Sequence, residues 1–309
     1  MTRAFRFGFQ YRNGTADELR AMARDAETAG FDVFHSWDHV VDGWAPLAPL
    51  LSAAEATTRL RICPLVINND FHHPVHLARE LTSMDHLTGG RVELGIGAGH
   101  SFDEYDAIGQ RFDHPAVRKA RMAEAIEVLR PLLDGERVTF HGEHYDISDA
   151  KVLRARQDRL PILVGVNGKR ALAHAARHAD IIGLMMMGKT LEDGHRHEVR
   201  WESWRLDATI EHIRASVPAG AAMPELNALV QAVIITDDRR AAAEEFAAEH
   251  AGLSIEDTLE TPFLAIGTHD EIADHCRRAR ERWGISYFSV REIDGFQPVI
   301  ERLRVDDAA

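Results

Sequence analysis

The sequence predicts an α/β fold, a closed (β/α)8 barrel. Two observations carry this expectation. Short apolar segments of strand type alternate with amphipathic helical segments along almost the whole chain, and such alternation builds a parallel sheet covered by helices. A helix–strand cadence also recurs: Gly30 then FDVFHSW, Gly89-Gly90 then RVELGIG, Ala179 then DIIGLMMM, and Gly284 then ISYFSVRE. Eight strands favour closure, with an open doubly wound sheet as the runner-up. The 309 residues suit one barrel domain spanning 1–309, because barrels of this length are built on a single core.

The elements follow in order. A strand at 5–10 opens the chain, and Thr15 with Glu18 has the capping-box spacing that starts a helix over about 15–30. A strand at 32–37, a helix near 46–57 and a strand at 61–67 follow. Pro74 suits a first helical turn, and Leu77, Leu81 and Met84 form one buried face of a helix over 74–88. Gly89-Gly90 ends it, because glycine tolerates the left-handed cap. Val92–Ile96 is short and mostly apolar, as a buried parallel strand should be. A helix over 115–133 precedes strands at 161–165 and 180–185, with a helix over 168–178 between them. Helices near 201–216 and 237–250 flank a strand at 228–235. Thr268 and Glu271 cap a helix over 269–283 whose stripe is Ile272, Cys276, Ala279 and Trp283. A strand at 285–290 and a helix near 296–304 close the chain. Two segments exceed a minimal barrel: 136–160 reads as a β-hairpin and 188–200 is polar, each a lid, a wall or a solvent-exposed ornament.

Bulk properties exclude several classes of function. A net charge of −13 argues against nucleic acid, which needs a basic face. It leaves room for an anionic cofactor, since backbone dipoles and a few cations suffice. Cys63 and Cys276 are distant and flanked by apolar residues, so a disulfide framework is not expected and a reducing cytoplasm is. No stretch approaches the ~20 apolar residues of a membrane span.

Candidate chemistry gathers at strand exits, where a parallel barrel places its catalytic groups. Trp37-Asp38-His39 leaves the second strand: His39 can exchange a proton near neutral pH, Asp38 can orient it, and Trp37 can wall a flat ring. Position alone leaves a structural polar cluster open. Gly95, Gly97 and Gly99 offer close backbone approach to a phosphate or a ring edge, or a tight strand exit. Gly97-Ala98-Gly99-His100 lacks the dinucleotide-binding spacing. Ser101 and Glu104 either face the site or cap a helix. Gly165-Val166-Asn167-Gly168-Lys169-Arg170 enters a helix whose N-terminal N–H groups favour an anion. Arg291, after the last strand, can reach a phosphate or a substrate anion, or sit in a surface salt bridge. His174 and His178 are i, i+4 on a helix but lack the glutamate of H-E-x-x-H; with His72, His73, His76, His195 and His197 they repeat no metal-ligand pattern, and no metal is expected.

The pieces SWDH at Ser36–His39, NNDFHHP before the 74–88 helix and LTGGRVELGIGAG across its end resemble the bacterial luciferase-like flavin and deazaflavin oxidoreductases. Within that family the sequence is most similar to single-component enzymes using coenzyme F420. The resemblance implies a cis peptide at Leu65–Val66, forming a bulge under the cofactor ring, with Asn68 as a ring contact. It places the Gly97–Gly99 turn against the cofactor and the 165–169 turn at its phosphate-bearing tail. It makes His39 the acid/base with Asp38 beside it. His100 stands where some deazaflavin enzymes carry a glutamate proton donor, which leaves the protonation scheme open between His39 and His100. The implied activity is hydride transfer between coenzyme F420 and a small organic substrate. The alternatives are a monooxygenase using reduced FMN, a non-catalytic flavin-binding protein and a metal-dependent barrel hydrolase. A homodimer, and a separate reductase supplying reduced cofactor, are the implied partners.

Overall fold

The structure, a computed structural model, describes residues 3–40, 43–190, 197–250 and 252–307. Strand β1 (Arg6–Gln10) sends Phe7 and Phe9 onto Phe296, Phe31 and Phe34, and leaves Arg6, Gly8 and Gln10 for the barrel interior. Helix α1 (Ala16–Thr28) begins at the expected capping box, in which the Thr15 N–H donates to Glu18 Oε2 (2.7 Å). Strand β2 (Val33–Ser36) and helix α2 (Leu47–Glu55) follow. The third barrel strand runs in two pieces, β3 (Arg61–Pro64) and β4 (Ile67–Asn68). Between them the Leu65–Val66 peptide is cis, as the resemblance implied. His73 caps helix α3 (Pro74–Leu87), accepting from the Val75 N–H (3.3 Å), so this loop histidine has a local structural task.

Beyond strand β5 (Leu94–Gly97) come helices α4 (Phe102–Ala107) and α5 (Pro115–Leu133). The segment 136–160 contains the expected hairpin, β6 (Val138–His141) and β7 (Asp146–Ala150). Strand β8 (Ile162–Gly165), helix α6 (Lys169–His178) and strand β9 (Ile181–Leu184) form the next repeat. The second insertion carries an antiparallel pair, β10 (Met187–Thr190) and β11 (His197–Val199); residues 191–196, with His195, lie outside the described residues. The chain continues through α7 (Ser203–Ser216), β12 (Glu225–Leu229), β13 (Ala232–Ile235), α8 (Arg239–Glu249) and α9 (Ile255–Glu260). It ends with β14 (Leu264–Gly267), α10 (His269–Trp283), β15 (Ile285–Val290) and α11 (Gln297–Asp307).

The hydrogen-bonded order is β3–β2–β1–β15–β12–β9–β8–β5–β4, and every pairing in it is parallel. Because β3 and β4 are one interrupted strand, the order closes into an eight-stranded barrel. One expected element differs. The run at 228–235 is not a single strand: β12 starts at Glu225 and ends at Leu229, and β13 then leaves the barrel to pair with β14. The chain crosses over there, with the Val230 N–H on Ser289 O (2.8 Å) and the Gln231 N–H on Phe263 O (2.7 Å). The apolar run reads as continuous because β12 and the small β13–β14 pair are both buried or half-buried. Strand β14 and the short helices α4 and α9 lack enough periodicity to be foreseen.

The barrel interior is layered. At its base Glu93 accepts from both Arg6 and Arg61, and Arg6 also reaches Glu225 (2.9 Å). Val33, Cys63, Leu163, Ile181 and Tyr287 fill the middle. Above them the buried His35 donates from Nδ1 to Cys63 O (2.9 Å), which leaves Nε2 to accept from the Tyr287 hydroxyl (2.9 Å). Gly8 is needed here, since a Cβ on it would lie 2.4 Å from His35 Nε2. Gly95 serves the same purpose at the β3–β5 seam, where a Cβ would lie 2.0 Å from Pro64 O. The backbone approach that its glycine permits is therefore to the protein's own chain. Among the described residues no helix is long and apolar enough to cross a membrane.

Two buried histidines set an acid limit on stability. Burial pushes His35 down to about 4, against the hydrogen bond to Cys63 O. Burial does the same to His275, also to about 4, against its bond to Thr261 O. The unfolded chain takes up these protons at the ordinary histidine pKa, so it binds more protons than the folded chain between about pH 6.5 and 4. Stability therefore falls as pH falls through that window, by about 2 kcal/mol per histidine at pH 5. Urea unfolding at pH 7.5 and pH 5 should show this loss, and His275→Gln should remove about half of it.

Candidate active site

The C-terminal ends of the barrel strands open into a cavity to which every barrel strand contributes, from Gln10 at the end of β1 to Arg291 after β15. It continues into a groove beneath the turns that leave β5 and β8; Val66, Gly99, His100, Gly165 and Met185 line both sections.

Trp37, Asp38 and His39 all line the cavity, but their side chains do different things. His39 Nδ1 lies 2.6 Å from Oε1 of Glu104, a buried side chain of α4. Burial raises the Glu104 pKa, but the His39 hydrogen bond and charge and the Val40 N–H outweigh it and hold the group below the usual carboxylate range. An ionised Glu104 only accepts, so His39 donates from Nδ1, and the neutral ring then has its lone pair on Nε2. The edges of Trp37 and His100 meet the His39 ring, with centroids at 5.2 Å and 5.4 Å. Asp38 turns away from His39. Its Oδ2 accepts from the Asn68 N–H (2.9 Å) and from His72 Nε2 (3.2 Å), which ties the β2 exit to the β4 exit.

Asn68 is buried at the end of β4. Its Oδ1 accepts from the Asp70 N–H (3.1 Å) and lies 3.2 Å from the Tyr105 hydroxyl. The turn after β5 is fixed from below by Arg118, which donates to Ala98 O (3.1 Å), Gly99 O (3.2 Å) and Asp113 O (2.5 Å). Gly97 faces Val66, where a Cβ would come within 2.7 Å of Cγ2. Gly99 has φ +70 and would crowd Tyr105 and Asn68 if it carried a side chain. These glycines serve the fold as well as any ligand.

The groove is cationic. Gly97, Ala98, Gly99, Val166, Asn167 and Gly168 line it with Arg118, Lys119 and Arg200. Lys119 Nζ donates to Asn167 O (2.7 Å), and it has no carboxylate partner among the described residues. Burial, then the neighbouring Arg118, lowers its pKa. No side chain caps the α6 N-terminus at Gly168. Uncapped helix N–H groups beside a desolvated lysine suit a phosphate-bearing chain. Lys169 stands apart: it is exposed and lines two neighbouring clefts instead. Gly95, Ser101 and Arg170, also offered by the sequence, likewise line neither section.

The structure adds Arg118, Lys119 and Gln10 to the expected set. Glu104 had two readings, and it faces the site. Arg118 and Lys119 sit inside a helix whose apolar pattern hides their purpose. The 136–160 hairpin lines neither section; Tyr145 instead contacts Asn69 (3.2 Å) at the base of the loop. The 188–200 insertion supplies Gly188 and Arg200 to the groove. On the outer face, Glu127 of α5 comes 3.3 Å from His174 Nε2, with His178 stacked on His174. The carboxylate absent from the local sequence is thus supplied by another helix, away from the cavity.

Comparison with known proteins agrees with this architecture. The chain is 30% identical over 286 residues to an F420-dependent glucose-6-phosphate dehydrogenase of Nakamurella multipartita, covering 87% of this chain and 79% of that one. A protein of the same name from Kineococcus radiotolerans is 34% identical over 172 residues. That match spans 53% of this chain and only half the length of the relative. The structure of an F420-dependent secondary alcohol dehydrogenase in complex with an F420-acetone adduct superposes with a TM-score of 0.76 at 18% identity, covering 98% of this chain and 100% of that chain. At that identity it speaks for the shared fold. The family model described as luciferase-like monooxygenase matches residues 1–254, and the chain belongs to that family.

Proposed function

We propose that this protein is an oxidoreductase that moves a hydride between coenzyme F420 and the carbinol or carbonyl carbon of a small organic substrate. The observation that carries the reading is the Glu104–His39 pair, which engages Nδ1 and leaves Nε2 for a substrate at the C-terminal mouth of a luciferase-like barrel. The curated relatives, named as F420-dependent dehydrogenases, support the choice of cofactor.

Bound coenzyme F420 supplies a carbon that accepts or donates hydride. The residues fit such a group. Leu65, Val66 and Gly165 line both the cavity floor and the reach of a flat ring, with Trp37 and Asn68 beside them. Gly97–Gly99, the Val166–Gly168 turn and Lys119 offer glycine surface, helix N–H groups and a cation to the anionic tail. His39 Nε2 takes the proton of the substrate hydroxyl during oxidation and returns it during reduction. Glu104 keeps the ring oriented and stabilises the imidazolium formed. Asp38 positions the loops, and His100, against the His39 ring, is the second proton carrier of the site. One barrel domain, a homodimer, a separate F420 reductase and a cytoplasmic setting complete the proposal, supported by the family resemblance.

Titration of the protein with F420 and FMN, followed by tryptophan fluorescence, should give micromolar or tighter binding of F420, on the order of −8 kcal/mol. Tight FMN binding without a response to F420 would reverse the assignment. Lys119→Met should weaken F420 at least tenfold, the worth of one charge-assisted hydrogen bond. His39→Asn should lower kcat at least about tenfold, ~1.4 kcal/mol of barrier, with F420 affinity and melting temperature nearly unchanged. Glu104→Ala should lower kcat by a similar factor and likewise spare F420 affinity. Full turnover in His39→Asn would pass the role to His100.

A further inference from the structure

The cavity holds a second cationic place, on the side away from the groove. Arg291 leaves β15, and Arg12 follows β1; both line the cavity, on neighbouring strands. Arg291 Nε donates to Gln10 Oε1 (2.9 Å) and Nη1 to Gln231 Oε1 (3.0 Å). Both amides are themselves anchored, Gln10 Nε2 on Leu65 O (3.1 Å) and Gln231 Nε2 on Leu229 O (3.0 Å), so each oxygen is aimed at the guanidinium. These partners are neutral. They orient the arginine without cancelling its charge, and Nη2 keeps a free pair of donors among the described contacts. Neither Arg12 nor Arg291 has a carboxylate partner among the described residues, in a chain whose net charge is −13. Burial first, then the charge of Arg12, lowers Arg291 to about 10, so it stays protonated at neutral pH. A partly buried cation held only by amides is an incomplete ion pair, completed by a ligand's anion.

Barrel order says which ligand. Around the ring, β15, β1 and β2 are consecutive, so Arg291, Arg12 and His39 follow one another. The β5 and β8 exits, with the cationic groove, lie diametrically opposite the β15–β1 junction. One cofactor tail cannot occupy both. We propose that Arg291, assisted by Arg12, binds an anionic group of the substrate, a phosphate or a carboxylate, and so holds the substrate's reacting carbon beside His39. This deepens the oxidoreductase reading and rests on it for the word substrate; the anion site itself does not.

The test uses inorganic phosphate and acetate as probes, with and without F420, read by tryptophan fluorescence and calorimetry. Saturable binding of one of them, weakened at least tenfold in Arg291→Gln, several-fold in Arg12→Gln and largely restored in Arg291→Lys, supports the proposal. The preferred probe decides between phosphate and carboxylate. F420 affinity should stay within about twofold in all three variants. Absence of saturable binding by either probe overturns the proposal, as does binding indifferent to both glutamine variants. A tenfold loss of F420 affinity in Arg12→Gln and Arg291→Gln overturns it too, because the pair then serves the cofactor. If wild type fails to bind F420 while phosphate or acetate binds through Arg291, the cofactor reading falls and the anion site stands.

Discussion

The barrel depends on a clasp at one seam. Eight parallel strands must close, and the third is broken at Leu65–Val66, so β3 and β5 share only the single bridge between Ile62 and Val92. Glu93 holds that weak place twice. Its N–H donates to Ile62 O (2.9 Å), and its buried carboxylate accepts from Arg6 of β1 and Arg61 of β3. Burial opposes ionisation of Glu93, but the two guanidinium groups outweigh it and keep its pKa low. Removing one side of such a buried ion pair typically costs about 3–5 kcal/mol. The seam that walls the cavity at one end is thus held by charges at the opposite end of the barrel.

Above that base, each functional side chain is held by a neighbouring group. Glu104 holds His39, Asp38 joins the β2 and β4 exits, and Arg118 grips the turn after β5. Asp70 ties Arg121 (2.6 Å) and the Tyr105 hydroxyl (3.1 Å) beneath Asn68. A site held within fractions of an ångström is what hydride transfer requires, since misplacement by about 1 Å can cost a hundredfold in rate.

Much of this was legible in the chain. The 3.6-residue period and the capping residues place the long helices closely: 74–88 was expected and Pro74–Leu87 found, 269–283 expected and His269–Trp283 found. The exits bearing Trp37–His39, Asn68 and Gly97–His100 are local in sequence and were read there. What stayed hidden is long-range. Glu104 pairs with His39 across 65 residues, Lys119 meets Asn167 across 48, and Gln10 meets Arg291 across 281. No period or spacing encodes such partners. Lys169 follows the turn in sequence, yet the lysine that faces the groove comes from the preceding helix. Glu93 gave one local hint, an acid inside an otherwise apolar strand, which demands a buried cation.

The grip of Arg118 has a consequence for how this active site can change over generations. Its hydrogen bonds all go to main-chain oxygens, of Ala98, Gly99 and Asp113, so this hold on the turn does not depend on which side chains the turn carries. Position 100 projects from that held backbone and is exposed. A histidine there can give way to a glutamate, or the reverse, without rebuilding the loop. The barrel thereby holds, at the mouth of the cavity, a position whose side chain can be exchanged while the backbone around it stays in place.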